Sequence, residues 1–241
     1  MEREIFLMTH EEVKKYIEEG SRILIIPIGT LEAHGPHLPL GTDTIIPTAI
    51  SRKIAETLNA LIAPPIPYGV TTSLLRYHGS TTISGDTLER MLIEIITHFH
   101  HHGFDVFIIL NGHGGNIEPI KNAMRELWLE KRIRCIAIHW WIFVKEVTER
   151  IFGERGAHGG VDETAMILAV NPNLVKELDT SESTQIFRSG IDVYPNPGSI
   201  ILYGDEGRPR FDRELAKKYF DTVIEFIVRE LKLILKKLSE D

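Results

Sequence analysis

The chain alternates short apolar runs with amphipathic stretches, and that alternation predicts its elements. Residues 9–18 read as a helix, because Thr9 at the cap and Glu12 three residues on form a capping box. Residues 22–29, RILIIPIG, are a short β-rich apolar run that reads as a buried strand. Residues 44–58 read as a helix that tolerates Pro47 in its first turn, and residues 60–67 as a second strand made irregular by prolines. Residues 86–102 have helical spacing, with Asp86 and Glu89 as the expected capping pair and Gly103 as the stop. A third strand follows over residues 104–110, a helix over 116–130 and a fourth strand over 133–139. Residues 140–152 and 162–170 look helical. Residues 179–210, rich in Ser, Gly, Pro and Asp, read mostly as loop, and residues 213–239 form a long amphipathic helix.

Strands separated by helices of this length imply a parallel sheet covered on both faces. The expected fold class is therefore α/β, a three-layer αβα sandwich with a mostly parallel central sheet. No repeat, low-complexity tract or linker divides the chain, so one domain over residues 1–241 is expected.

Composition narrows the function. The 241 residues are 43% hydrophobic and 25% charged, with a formal net charge of -7. No basic face stands out, which argues against a nucleic-acid partner. The one cysteine, Cys135, sits in an apolar run. It permits no disulfide within the chain, fits a reducing compartment and has nothing nearby to activate a thiol. The N-terminus lacks the apolar core of a signal peptide, and no apolar run is long enough to span a bilayer, so a cytoplasmic protein without a membrane partner is expected.

In open parallel sheets, ligands bind beyond the carboxyl ends of the strands. Two such places carry chemistry here: Thr30 to His37 after the first strand, and Asn111 to Asn116 after the third. Glu32 and His34, two apart, point the same way in an extended segment. Asp43 follows a loop with two prolines and two glycines, and His113 arrives from the other strand end. Two carboxylates and two imidazoles form a mixed N/O set that suits Zn²⁺, Mn²⁺ or Fe²⁺, and the lack of thiolate argues against a structural zinc knot. A third stretch, His158 to Thr164, offers His158 as a proton shuttle and Glu163 as metal ligand or base, with Asp162 and Glu163 at a helix start where acids are favoured. The run His98, His100, His101 and His102 ends a helix and reads as a solvated terminus. No dinucleotide fingerprint, P-loop or nucleophile elbow is present.

The stretches PIGTLEAHGPHLPLGTDTIIPTAI, LNGHGGN and HGGVDETAMILAVNP, in order from Pro27 to Pro172, together with WWIFVK at Trp140 to Lys145, resemble the creatininase (creatinine amidohydrolase) family. The resemblance implies an αβα fold, a homohexamer and two adjacent divalent metals, zinc first with manganese or iron as alternatives. It assigns Glu32 and His113 to one metal, His34 to the other, Asp43 to both, and proton transfer to His158. It implies a small-molecule amide substrate whose C–N bond is cleaved by a hydroxide bridging the metals, with cyclic amides, formamides and short amides in view. Loop amides near Gly114 would steady the oxyanion, and Ser73 and His78 fall where the family lines its substrate site. The chain also departs from the pattern. Creatininase has Tyr-Glu at the positions of Gly114 and Gly115, its Glu being a metal ligand, and Glu163 is the natural replacement. Creatininase has Trp-Asp where this chain has Glu154 and Arg155, so a creatinine pocket is not expected. The alternatives are creatinine hydrolysis itself and a non-catalytic metal-binding member of the fold.

Overall fold

The computed structural model describes residues 2–176 and 207–240. Most of the loop expected over residues 179–210 lies outside the described residues. Four strands, β1 (Ile23–Ile28), β2 (Ala60–Ile62), β3 (Val106–Asn111) and β4 (Arg134–His139), form one parallel sheet in the order β2-β1-β3-β4. Period-two alternation divides the apolar side chains between its faces. Ile25, Ile108 and Leu110 pack with α2 (Thr42–Thr57), α6 (Lys145–Phe152), α7 (Val161–Val170) and α8 (Arg213–Leu238). Leu24, Ile26, Phe107 and Ile109 pack with α1 (His10–Glu18), α3 (Gly85–His101) and α4 (Ile117–Lys131) on the opposite face. Each fully buried isoleucine or leucine contributes about 1.5–3 kcal/mol, so the two central strands anchor both layers. This is the expected α/β sandwich.

Several boundaries differ from the sequence reading, each for a local reason. Helix α3 begins at Gly85 and is capped by Ser84, whose hydroxyl accepts the Thr87 N–H, so Asp86 and Glu89 are not its capping pair. The expected helix over residues 140–152 is two helices, α5 (Trp140–Phe143) and α6, broken at Val144. The second strand ends at Ile62, since Pro64 and Pro65 have no N–H to donate, and only Ile66 bridges again to Ile28. The capping box of α1 forms as expected. Cys135 on β4 is half-buried, and burial pushes its thiol up to about 12, which keeps it a thiol.

The strand order creates the site. From β1 the chain crosses to β2 on one side, and β3 then pairs on the other, so the crevice between the ends of β1 and β3 is the topological switch point. The two strands end level, with Ile28 opposite Asn111. The first turn of α2, carrying Asp43, drops into this crevice. Gly29 and Gly112, one residue beyond β1 and β3, lie against the Asp43 carbonyl so closely that a Cβ on either would overlap it. Gly112 also donates its N–H to the Ile28 carbonyl at 2.8 Å, which ties the two strand ends together.

Gly112→Ala is therefore expected to force α2 away from the sheet. Overpacking of this kind costs about 1–3 kcal/mol, read as a lower urea midpoint at unchanged m-value. A midpoint equal to that of the parent protein would contradict the pinch.

Candidate metal centre

The crevice gathers side chains from three segments. Glu32 and His34 come from the loop after β1, Asp43 from the first turn of α2, and His113 from the turn after β3. His158 and Glu163 come from the turn before α7 and from its first turn. Three groups of their donor atoms lie within 4.8 Å of one another: Glu32, Asp43 and His113; His34, Asp43 and Glu163; and Glu32, His34 and His158. Asp43 belongs to the first two, and its two oxygens face opposite ways. Oδ2 lies 2.9 Å from His113 Nδ1, and Oδ1 lies 2.9 Å from His34 Nε2. Glu32 Oε1 is 3.3 Å from His113 Nδ1, and Glu163 Oε1 is 3.7 Å from His34 Nε2. The His98–His102 run joins none of these groups among the described residues.

Each imidazole has one nitrogen held by a backbone carbonyl. His34 Nδ1 bonds the Glu32 carbonyl at 3.0 Å, His113 Nε2 the Val70 carbonyl at 2.9 Å, and His158 Nε2 the Ala33 carbonyl at 2.6 Å. A carbonyl only accepts, so each bonded nitrogen carries a proton, and the other nitrogen faces the cluster, where either a second proton or a metal can take its lone pair. Such anchoring is how proteins orient histidine ligands. The acids are anchored too. Thr71 donates its hydroxyl to Glu32 Oε2, and the Gly159 N–H donates to Glu163 Oε2 at 2.6 Å. Asn116, fully buried, donates to the Gly29 carbonyl at 3.0 Å and accepts the Val70 N–H at 2.9 Å, which steadies the carbonyl that holds His113.

Burial and charge oppose each other in this cluster. Burial alone would lower the pKa of His34, but the carboxylates of Asp43 and Glu163 outweigh it and raise it well above the usual value. Burial likewise works against charge on His113, yet bonds to Asp43 and Glu32 lift it to about 10. Burial would raise Asp43, but His34 and His113 hold it well below the carboxylate range. Asp162 goes the other way: burial and the neighbouring Glu163 charge raise it to about 7. The fold thus concentrates acids and imidazoles so strongly that a cation must balance them, a proton or a metal. The fit to a metal is direct. His34 Nε2 and Asp43 Oδ2 are buried and face only other members of the cluster, and the donors are nitrogen and carboxylate oxygen without thiolate, the set preferred by zinc, manganese and iron.

The cluster opens into a cavity of about 660 Å³. Ser73 and Gly114 line it as expected from the sequence, whereas His78 is exposed and does not line it. Gly115 has no room for a side chain, since a Cβ there would overlap the Val70 carbonyl and crowd His113 Nε2. Residues the sequence reading did not single out include Thr71, Asn116 and Trp141. Asn116 sits at the edge of the Gly-His-Gly-Gly turn, where a buried amide is a local signal. Thr71 lies 39 positions from Glu32, with no such signal.

A family profile described as creatininase, creatinine amidohydrolase, matches residues 7–231. A creatinine amidohydrolase of Pseudomonas putida is 31% identical over 195 residues, 73% of this chain and 75% of that protein. A mycofactocin precursor peptide peptidase of Mycobacterium ulcerans is 33% identical over 163 residues, 63% of this chain and 60% of that protein. Among solved structures, a zinc–zinc form of a creatininase mutant superposes with a TM-score of 0.80 at 26% identity, covering 96% of this chain and 98% of that one. A manganese form superposes with a TM-score of 0.81 at 25% identity over the same shares.

The raised pKa of His113 has a consequence for stability. A group raised on folding stabilises the protein fully below its unfolded value, 6.5, and loses that contribution as pH rises through about 10. Metal-free protein is therefore expected to lose stability from about pH 6.5 to 10, relative to metal-loaded protein, in which the lone pairs are occupied. Urea midpoints with and without chelator would show parallel pH profiles if the cluster did not carry this proton.

Proposed function

The chain belongs to the creatininase family, whose members are amidohydrolases acting on carbon–nitrogen bonds, and on that premise we propose that it hydrolyses a small amide at a centre of two divalent metals. The observation that carries this reading is the division of Asp43, one oxygen toward His113 and the other toward His34. Glu32, Asp43 and His113 would hold one ion, and His34, Asp43 and Glu163 the other. Zinc and manganese are the first choices by similarity to the solved creatininases, and the donor set also accepts iron. When bound, such a pair supplies a water acidic enough to act as nucleophile near neutral pH and an electrophile for the amide carbonyl.

The chain's own residues do the rest. Glu163 serves as ligand rather than base, because one of its oxygens is fixed by the Gly159 N–H and the other faces His34. This supplies the carboxylate that Gly115 cannot carry. His158 is the proton carrier: its Nε2 is tied to Ala33, its Nδ1 lies 3.7 Å from Glu32 Oε1, and its side chain is one-third exposed to the cavity. It would protonate the departing nitrogen. Gly114 and Ser73, both lining the cavity, would meet the carbonyl oxygen and the body of the substrate. The same reading takes residues 1–241 as one catalytic domain in a homo-oligomer. The direct test is an assay of zinc- or manganese-reconstituted protein against creatinine, other cyclic amides, formamides and short peptides. Hydrolysis of none would contradict the proposal.

Two variants separate the roles. Asp43→Ala is expected to lose both metals and all activity together, and elemental analysis showing two metals retained would remove the bridging role. His158→Ala is expected to keep its metals while kcat falls about 10²–10⁴-fold, the usual worth of a positioned acid or base. An unchanged kcat would assign proton transfer elsewhere.

A further inference from the structure

Among the described residues, the acids that line the cavity are buried, whereas two cations that line it are exposed. Lys145, the first residue of α6, and Arg155, in the turn after that helix, line the same cavity and are both exposed. They reach it from opposite ends of α6. Among the described residues Lys145 has neither a hydrogen bond nor an ion pair. Within the same described residues the Arg155 side chain uses only Nε, toward Glu149 at 3.2 Å, in an exposed pair of the kind that contributes little. The acids that line the cavity are engaged elsewhere. Glu32 faces Thr71 and His113, Asp43 faces His34 and His113, Asp162 accepts the Ala157 N–H at 3.1 Å, and Glu163 accepts the Gly159 N–H. Between opening and floor the wall includes the apolar surfaces of Leu74 and Trp141.

We propose that the substrate carries an anionic group, a carboxylate or a phosphate, bound by Lys145 and Arg155 at the cavity opening while its amide reaches the cluster beneath. The position of the amide rests on the amidohydrolase reading above; the anion site rests on the two cations. Arginine offers a planar fork that matches either anion, and lysine a mobile point charge. The chain's net charge of -7 repels anions at a distance, so these two cations give the opening the local positive potential that an anionic substrate needs.

The test compares three formamides of similar length: N-formylethanolamine, which is neutral, N-formyl-β-alanine, a carboxylate, and N-formyl-O-phosphoethanolamine, a phosphate. Binding to metal-loaded protein is measured by calorimetry for the parent and for the double variant Lys145→Ala with Arg155→Ala, with metal content checked in both. At least one anionic compound is expected to bind the parent about tenfold or more tightly than the neutral one, as charge-assisted bonds to two cations imply. That preference is expected to collapse to about twofold or less in the double variant, and the preferred anion tells carboxylate from phosphate. A preference that survives in the double variant belongs to the metals and overturns the proposal. So does a parent that shows no preference or binds none of the three. Hydrolysis is followed in the same samples. An anion preference without hydrolysis of any amide tested would count against the amidohydrolase reading and leave the anion site standing.

Discussion

Asp43 is the point on which the structure turns. Its backbone is pressed between Gly29 and Gly112 at the ends of the two central strands, and its carboxylate lies between His34 and His113. The first contact fixes how deeply α2 enters the crevice. The second fixes where each imidazole lone pair points. A side chain at either glycine would move both at once. The first turn of a helix is also a favourable place for a carboxylate, because the helix dipole offsets part of its burial.

The surrounding polar groups serve that one residue. Backbone carbonyls of Glu32, Val70 and Ala33 orient three histidines, and Asn116 steadies the Val70 segment. The Val70 carbonyl also explains a departure from the creatininase pattern. It occupies the space a side chain at position 115 would need, so in the proposed two-metal centre the carboxylate comes from another element. Glu163, in the first turn of α7, reaches His34 from the far side. On the proposed function, the ligand set and the local packing are one solution rather than two separate ones.

Much of this was legible in the sequence. Apolar runs such as RILIIPIG and FDVFIIL are buried strands because parallel strands are covered on both faces, and the rule for strand ends then led to Glu32, Asp43 and His113. The resemblance to creatininase added the expectation, kept here as a proposal, that Asp43 joins two sets of ligands. What was not legible depends on long-range contact. Thr71 reaches Glu32 across 39 positions, and Lys145 and Arg155 line the same cavity only because the fold brings both ends of α6 to it. Of the two residues expected at the substrate site, Ser73 lines the cavity while His78 is exposed and does not line it. The prolines after Ile62 and the break at Val144 show local chemistry overriding a longer periodic pattern.

The central claim is that Asp43 joins two metal ions. Electron paramagnetic resonance of manganese(II)-reconstituted protein tests it most directly, since two ions sharing a carboxylate are magnetically coupled. Two manganese ions per chain and the spectrum of an exchange-coupled pair are expected. One ion per chain, or the six-line spectrum of isolated manganese, would contradict it.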